Sequence, residues 1–454
     1  MDALERLVDD SPADYTEARF HQRKKNQITI RKSEFEDITS ELYSGVGIRV
    51  LSHGAWGFSS VNSTEGEALR DALHTAVAMA EAASRKRNRQ RYLEEAVPIT
   101  GTFEAPVKDP VSDHTLEEKI DLCKTTDTQV LSHQEIKSSF VHYQELVDSK
   151  EIVTSHGSHV LITDSKLQFY VGAVAGAGSD LVSYIDAVGN TGGWEIIMEH
   201  SPEVMVDRAV TTAQNLVSAR YPKGGKATVI LDYGLVGLLC HEAVGHTMEA
   251  DFALSGAVTR DMVGEKVASD LVTMIDSGRI HAGGWIPVDD EGVACRDVVL
   301  IDHGVLKNFM HNKETAYLMG AEPTGNARAW EYDYEPLIRM RNTYIEGGDW
   351  REEEIFEDTR TGYVFKGAGA GQADANGEFM FNVKEAYTLE GGEEKELLRS
   401  VSMMGNAFDV LKTVDAAGSK VVFDMGFGAC GKHQLAKVDG GGPLLRCQVL
   451  VGGR

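Results

Sequence analysis

Tyr221-Pro222-Lys223-Gly224-Gly225-Lys226 divides the chain into two stretches of different character. Proline lacks an N–H donor and fixes φ, and glycine admits many backbone conformations, so neither a helix nor a strand runs through this segment. Ahead of it, helices and strands mix. Leu69, Ala72, Leu73, Ala76, Val77, Ala80 and Ala83 recur at helical spacing, and Thr64 with Glu67 predicts a capping box where that helix begins. A weaker helix is expected over 116–131. Ser201-Pro202 predicts the N-cap and first position of another, which turns Met205, Ala209, Val210, Ala213, Leu216 and Val217 inward. Strands are expected over 27–30, 46–51, 160–162, 166–174 and 181–188. Beyond the break, a strand over 227–232 and a helix over 236–250 lead into short β-type runs at 297–302, 306–310, 341–346, 378–383 and 444–451. The expected fold is α+β in two domains: an N-terminal mixed α/β domain over 1–222, and a C-terminal, mostly antiparallel, barrel-like β domain over 223–454.

The chain has 454 residues, 42% of them hydrophobic and 25% charged, a balance that suits a globular protein with a large core. Its 45 basic and 70 acidic residues leave a net charge of −25, which repels phosphate backbones, so no direct nucleic-acid contact is expected. The basic run from Arg85 to Arg91 is read as the solvated end of the first long helix, where cations complement the dipole. No apolar stretch approaches the roughly 20 residues that span a bilayer, and Met1-Asp2-Ala3-Leu4-Glu5-Arg6 lacks the order of a signal peptide. Cys123, Cys240, Cys295, Cys430 and Cys447 are odd in number and scattered, which favours free thiols or metal ligands and a cytoplasmic address.

The chemistry concentrates in Cys240-His241-Glu242-Ala243-Val244-Gly245-His246-Thr247-Met248-Glu249-Ala250-Asp251. Two histidines with a glutamate beside the first suggest zinc hydrolysis, yet three residues separate Glu242 from His246 instead of two. On a regular helix, five steps of about 100° place the two imidazoles about 140° apart. Chelation therefore requires an extra residue absorbed as a π-type bulge or a break, and Gly245 suits such a distortion. Two other readings remain open on spacing alone. The polar residues cap, pair or face solvent, or else Glu242, His246 and Glu249 share one face of an undistorted helix and bind a harder metal such as manganese or iron.

A catalytic zinc takes a third protein ligand and keeps one position open for water. Cys430, flanked by glycines in Gly426-Phe427-Gly428-Ala429-Cys430-Gly431-Lys432-His433-Gln434, is the best candidate, with His433 a lesser alternative. Cys447 reads as a buried strand thiol, Cys240 adjoins His241 and points elsewhere, and Cys123 and Cys295 read as structural. Gly367-Ala368-Gly369-Ala370-Gly371-Gln372 lacks the Lys-Ser/Thr of a nucleotide loop. It runs into an Asn376-Gly377 turn, so a hairpin is expected, with an edge that an extended peptide can join.

Nearly the whole chain resembles the TldD/PmbA family, in its metal-bearing, TldD-like branch. His241-Glu242-Ala243-Val244-Gly245-His246 and Gly428-Ala429-Cys430-Gly431-Lys432 carry the likeness. Gly45-Val46-Gly47-Ile48-Arg49, Asp289-Asp290-Glu291-Gly292, Leu318-Met319-Gly320, Pro323-Thr324-Gly325-Asn326, Arg341-Asn342-Thr343-Tyr344 and Glu385-Ala386-Tyr387 support it. The resemblance implies a zinc metallopeptidase of the HExxxH type, with Zn2+ held by His241, His246 and Cys430 and with Glu242 as catalyst. It further implies action on unfolded or small peptides in a chamber enclosed by a homodimer, or by a heterodimer with a PmbA/TldE-like subunit. Residues 1–222 would then serve the dimer and enclosure, and 223–454 the chemistry. His433-Gln434 departs from the family's usual acidic residue and glycine, which bears on substrate contacts. The alternative from another class is a non-catalytic regulatory or scaffold protein with a structural metal.

Overall fold

The computed structural model describes residues 3–86, 90–177 and 180–453. A short helix, α1 (Ala3–Asp9), precedes a sheet built from very long strands. These are β1 (Tyr15–Arg31), β2 (Glu34–Ser52), β3 (Ala55–Val61), β4 (Thr100–Glu104), β5 (Ile136–Thr154), β6 (His159–Ala177) and β7 (Asp180–Thr191), in the order β3-β2-β1-β5-β6-β4 with β7 also on β6. Helix α2 (Gly66–Ser84) buries Leu69, Ala72, Leu73, Ala76 and Ala80 against β1 and β2. Helices α3 (Leu116–Leu131) and α5 (Pro202–Ser218), with the short α4 (Glu195–His200) between them in sequence, cover the other part of the sheet.

Several local expectations are corrected. The helix over 66–84 takes Glu65 as its N-cap with no side-chain capping bond, so Thr64 and Glu67 form no box. Thr115 and Glu118 form one at the start of α3. Ser201 is the N-cap of α5 and Pro202 its first residue, as expected, but with φ 48° the Ser201 hydroxyl donates to Glu203 at 2.7 Å and makes no capping bond. Of the basic run, residues 87–89 lie outside the described residues, and Arg91 pairs with Glu314. The strands expected over 160–162 and 166–174 are one strand, β6. Pairing with β5 continues through Asp164, opposite Asp148, and overrides the turn chemistry of Asp164-Ser165. The strand expected over 27–30 is the end of the 17-residue β1, whose polar middle hides the alternation.

One face of that polar middle meets the second half of the chain, where Arg19 donates to the carbonyls of Glu331 and Tyr334 at 3.1 and 2.7 Å, and neighbouring strands add to it. Arg49 reaches Glu17 at 2.8 Å and Glu291 at 2.6 Å, and Lys150 reaches Asp290 at 2.9 Å. Asp289 accepts from the backbone N–H groups of Glu291, Val293 and Ala327 at 2.9–3.0 Å, which fixes the turn that presents these carboxylates. Charged residues thus form a buried seam between the first sheet and the rest.

The C-terminal half closes a barrel. Strand β8 (Gly225–Leu231) pairs with Leu445–Gly452, which pairs with Ser402–Asn406 and through it with Glu378–Glu390. That last strand forms a hairpin with Thr361–Ala373, which returns to β8 through Tyr363–Phe365 and completes the ring. The hairpin expected from Asn376-Gly377 is therefore present. A second sheet, mostly antiparallel, runs Val305–Leu306, Val298–Asp302, Met274–Ser277, Asn342–Ile345, Asp439–Gly442 and Val422–Phe423. The protein is thus mixed α/β with a β-barrel in its C-terminal region.

At the centre of the second sheet, Arg341 donates to Asp276 at 2.7 Å, and both side chains are 0% exposed. Asn326 and Thr343 add bonds to the same carboxylate at 2.8 and 2.9 Å. Replacing Arg341 with leucine leaves that carboxylate buried without its cation and is expected to cost about 3–5 kcal/mol. Urea unfolding checks this, and an unchanged midpoint would show the pair to be dispensable.

Candidate metal centre

Asp232 caps the helix that follows β8, its carboxylate accepting from Leu235 N–H at 2.9 Å. The helix begins α-helical as α6 (Tyr233–Leu238), then widens into a π-helical turn over Leu239–Val244 and tightens into a 3-10 turn over Gly245–Met248. The helix expected over 236–250 thus carries the π-type widening and break that chelation by two histidines five residues apart requires. Thr247 donates to the Val244 carbonyl at 2.7 Å, and Thr259 donates to that of Thr247, so hydroxyls answer carbonyls that a regular ladder would have used.

Close packing holds this irregular segment. A side chain at Gly237 would lie 2.5 Å from the Gly440 backbone, so the glycine run Gly440-Gly441-Gly442 lets the helix approach its sheet. Gly245 has helical dihedrals, φ −59° and ψ −44°. Its small size is required by Met340, whose sulfur would lie 2.2 Å from an added Cβ.

The widened turn brings the rings of His241 and His246 to 5.1 Å between centroids. Cys430 arrives from the hairpin Ala429–Lys432/Gln434–Lys437, and its sulfur lies 3.3 Å from His246 Nε2. One ligand atom from each of His241, His246 and Cys430 lies within 4.8 Å of the others. His433, the lesser candidate, sits exposed at the hairpin's turn with φ 58° and is not brought to the cluster. The rival set of Glu242, His246 and Glu249 is not assembled either. Glu249 accepts from the far ring nitrogen, Nδ1 of His246, at 2.9 Å. The other four cysteines are buried away from the cluster, and burial pushes the thiols of Cys123, Cys295 and Cys447 up to about 12.

Three residues, Arg339, Glu249 and Lys432, support the cluster through contacts that the sequence reading did not assign to them. Arg339, 0% exposed, donates to the carbonyls of Cys430 at 2.6 Å and Gln434 at 2.7 Å and so clamps both strands of the hairpin. Glu249, also 0% exposed, receives Lys432 Nζ at 3.1 Å, and Lys432 bridges on to Asp251 at 2.7 Å. The i, i+3 spacing of His246 and Glu249 was the one signal available for that contact. Gln434, which departs from the family's usual pattern, binds the backbone of Trp330 and Glu335 and so has a structural task.

The electrostatics suit a cation. Burial pushes the Cys430 thiol up, but the imidazoles of His241 and His246 outweigh it and hold it at about 4. Burial likewise disfavours charge on His246, yet Glu249 and the sulfur raise it to about 10. His241 is 1% exposed, and neither of its ring nitrogens has a hydrogen-bond partner. An imidazole buried in that state is costly. A metal ion ligated by one of those nitrogens would relieve the cost, so the donor set (two imidazoles and a thiolate) fits zinc. Glu242 stands 3.9 Å from His246 Nε2, about one-third exposed, at the wall of a cleft of about 280 Å³. His246, Phe252 and Asp374 also line that cleft.

The described residues thus gather two imidazoles and a thiol beside an open carboxylate, a donor set that would fit a metal ion. Residues 16–80, 109–217 and 224–450 match, in turn, domain 1, the central domain and the C-terminal domain of the PmbA/TldA metallopeptidases. A metalloprotease of Methanocaldococcus jannaschii is 34% identical over 450 residues, 98% of each chain. The zinc metalloprotease TldD homolog of Saccharolobus solfataricus is 28% identical over 451 residues, 97% of each chain. The crystal structure of TldE from Thermococcus kodakarensis, 19% identical, superposes with a TM-score of 0.78 over 99% of this chain and 100% of that one. The chain belongs to the PmbA/TldD metallopeptidase family.

Gly245→Ala is expected to overpack Met340 and cost about 1–3 kcal/mol. Thermal unfolding of Gly245→Ala, Met340→Ala and the double variant checks this, since Gly245→Ala should cost less when Met340 is already alanine. Identical melting of all variants would sink the packing account.

Proposed function

We propose that the chain is a zinc-dependent peptidase of the HExxxH type, in which His241, His246 and Cys430 would hold the ion and Glu242 is the general base. The observation that carries this reading is the gathering of donor atoms of His241, His246 and Cys430 within 4.8 Å, with the buried His241 imidazole unpartnered at both ring nitrogens. When bound, zinc supplies Lewis acidity that lowers the pKa of water to near 7 and polarises a peptide carbonyl. Glu242, with its carboxylate open to the cleft, takes the proton of the attacking water and returns it to the leaving amine. Glu249 holds His246 through Nδ1, so the opposite nitrogen stays directed at the sulfur.

The substrates proposed are unfolded or small peptides. A cleft of about 280 Å³ admits a few side chains and excludes a folded domain. One wall is formed by Ala373 and Asp374, where the barrel strand Thr361–Ala373 ends, and beyond Phe365 that strand no longer pairs with β8. An extended peptide can join that edge as a further strand. Residues 1–222 would enclose the site in a dimer and 223–454 would carry the chemistry. The partner would be a second copy or a PmbA/TldE-like subunit, a reading supported by the full-length likeness to TldE. Among the described residues no helix is long and apolar enough to cross a membrane, and the net charge of −25 argues against nucleic acid as a partner. The cytoplasm is the proposed location. A purely structural metal is less well supported, because the cluster offers three donors and His246 remains 21% exposed to the cleft.

Purified protein should carry one zinc per chain and cleave an unstructured peptide. Glu242→Gln should keep the zinc and lose cleavage by about 10²–10⁴-fold. Cys430→Ala should lose the zinc. A Gln variant of normal activity would remove Glu242 as base, and zinc retained without Cys430 would remove the sulfur as ligand.

A further inference from the structure

A second cavity, of about 230 Å³, shares no lining residue with the cleft of the metal cluster. It opens between the two halves of the chain. Strand β7 and helix α5 line one side, and residues 423–427 with the hairpin Thr361–Ala373/Glu378–Glu390 line the other. Small-molecule sites usually have about 300–1,000 Å³, so this one suits a ligand no larger than a single amino-acid residue.

Two opposite charges in its wall have no partner. Asp424 is exposed at the cavity, and Lys384 is half-buried in its wall. Among the described residues no carboxylate comes within 4.0 Å of the Lys384 ammonium, and no N–H or O–H group donates to the Asp424 carboxylate. The nearest ring to Lys384 Nζ is that of Phe427, at 5.2 Å. The other ionic groups of the wall are engaged. Asp232 accepts from the N–H groups of Leu235 and Gly367 at 2.9 and 2.7 Å. Asp186 stands 3.5 Å from Arg208, which also reaches Glu385 at 3.4 Å.

A Cβ added at Gly234 would lie 3.1 Å from Asp424 Oδ2 and 3.8 Å from Asp232 Oδ1, so the two carboxylates come together beside this glycine. Loss of water inside the recess, and then neighbouring Asp232, push the Asp424 carboxyl up to about 7. The same desolvation pulls the Lys384 ammonium down. A ligand that brought a cation to the first and an anion to the second would oppose both shifts. Between these charges the lining is apolar, from Val188, Met205 and Phe423.

We propose that this cavity binds a free α-amino acid, its ammonium against Asp424 and Asp232, its carboxylate on Lys384 and an apolar side chain against Val188, Met205 and Phe423. The ligand must carry both charges, because a simple anion would meet the three aspartates and a simple cation would meet Lys384. Bound there, it bridges β7 to residues 423–427, which run on into the strand Ala429–Lys432 that carries Cys430. Nothing in this assignment depends on the metal or on peptide cleavage.

Titration calorimetry of the full-length protein with L-leucine and L-methionine tests the assignment. Saturable binding of one molecule per chain is expected for at least one of them. Its amide, which lacks the carboxylate, and its N-acetyl derivative, which lacks the ammonium, should each bind about tenfold more weakly or worse. Lys384→Met and Asp424→Asn should each weaken the parent amino acid to the same degree. Cys430→Ala should leave its binding unchanged, which separates this cavity from the metal cleft. No saturable heat with either amino acid, equal binding of the capped forms, or unaltered binding in the Lys384 and Asp424 variants overturns the proposal. So does loss of binding in a folded Cys430→Ala protein. If Lys384→Met does not fold, Asp424→Asn, altered at an exposed side chain, decides with the capped ligands.

Discussion

Two imidazoles five residues apart meet only where the backbone winds wider than an α-helix, and a wide turn is stable only where its neighbours hold it. Here the neighbours are a glycine-lined strand of the second sheet on one side, where Gly237 meets Gly440, and Met340 packed over Gly245 on the other. The polar groups released by the irregular winding are taken up by Thr247 and Thr259. The barrel around the helix fixes where this segment begins, and the 3-10 turn that follows swings His246 back toward His241. Every distance at the cluster descends from that local geometry.

Buried charge does the rest of the positioning. Arg339 fastens the Cys430 hairpin through two carbonyls, and Glu249 fixes the far side of the His246 ring while itself anchored by Lys432. A guanidinium suits the first task because its planar fork meets two acceptors at once. A carboxylate suits the second because it raises the basicity of the imidazole it holds. The cluster is thus shaped by groups that do not belong to it.

The apolar periodicity of 69–80 and 205–216 declared helices, and 444–451 a strand, because each has one face on a core and the pattern records that burial. The break in the metal-site helix was legible on the chelation reading, which demands it, although the spacing alone also allowed an undistorted helix. What escaped were features that burial of charge creates. Arg19, Arg23, Lys24 and Lys25 hide the apolar alternation of β1, so only 27–30 reads as strand, although the strand is continuous and turns Arg19 and Arg23 toward Glu331 and Tyr334 of the other half. Arg339 and Lys432 act across about a hundred residues or more of sequence, as in the 183-residue separation of Lys432 from Glu249, and no local pattern signals such a contact. The cap at Thr64 failed because a capping side chain needs a particular backbone entry angle, which composition does not encode.

The ionic seam between the first sheet and the Asp289–Gly292 turn has a consequence for how the sequence can vary. Arg49 answers Glu17 in its own half and Glu291 in the other, so neither half can drift in charge there without a matched change in its companion. Reversing the sign of one member alone would strand a buried charge, so the two halves have to be matched at this seam.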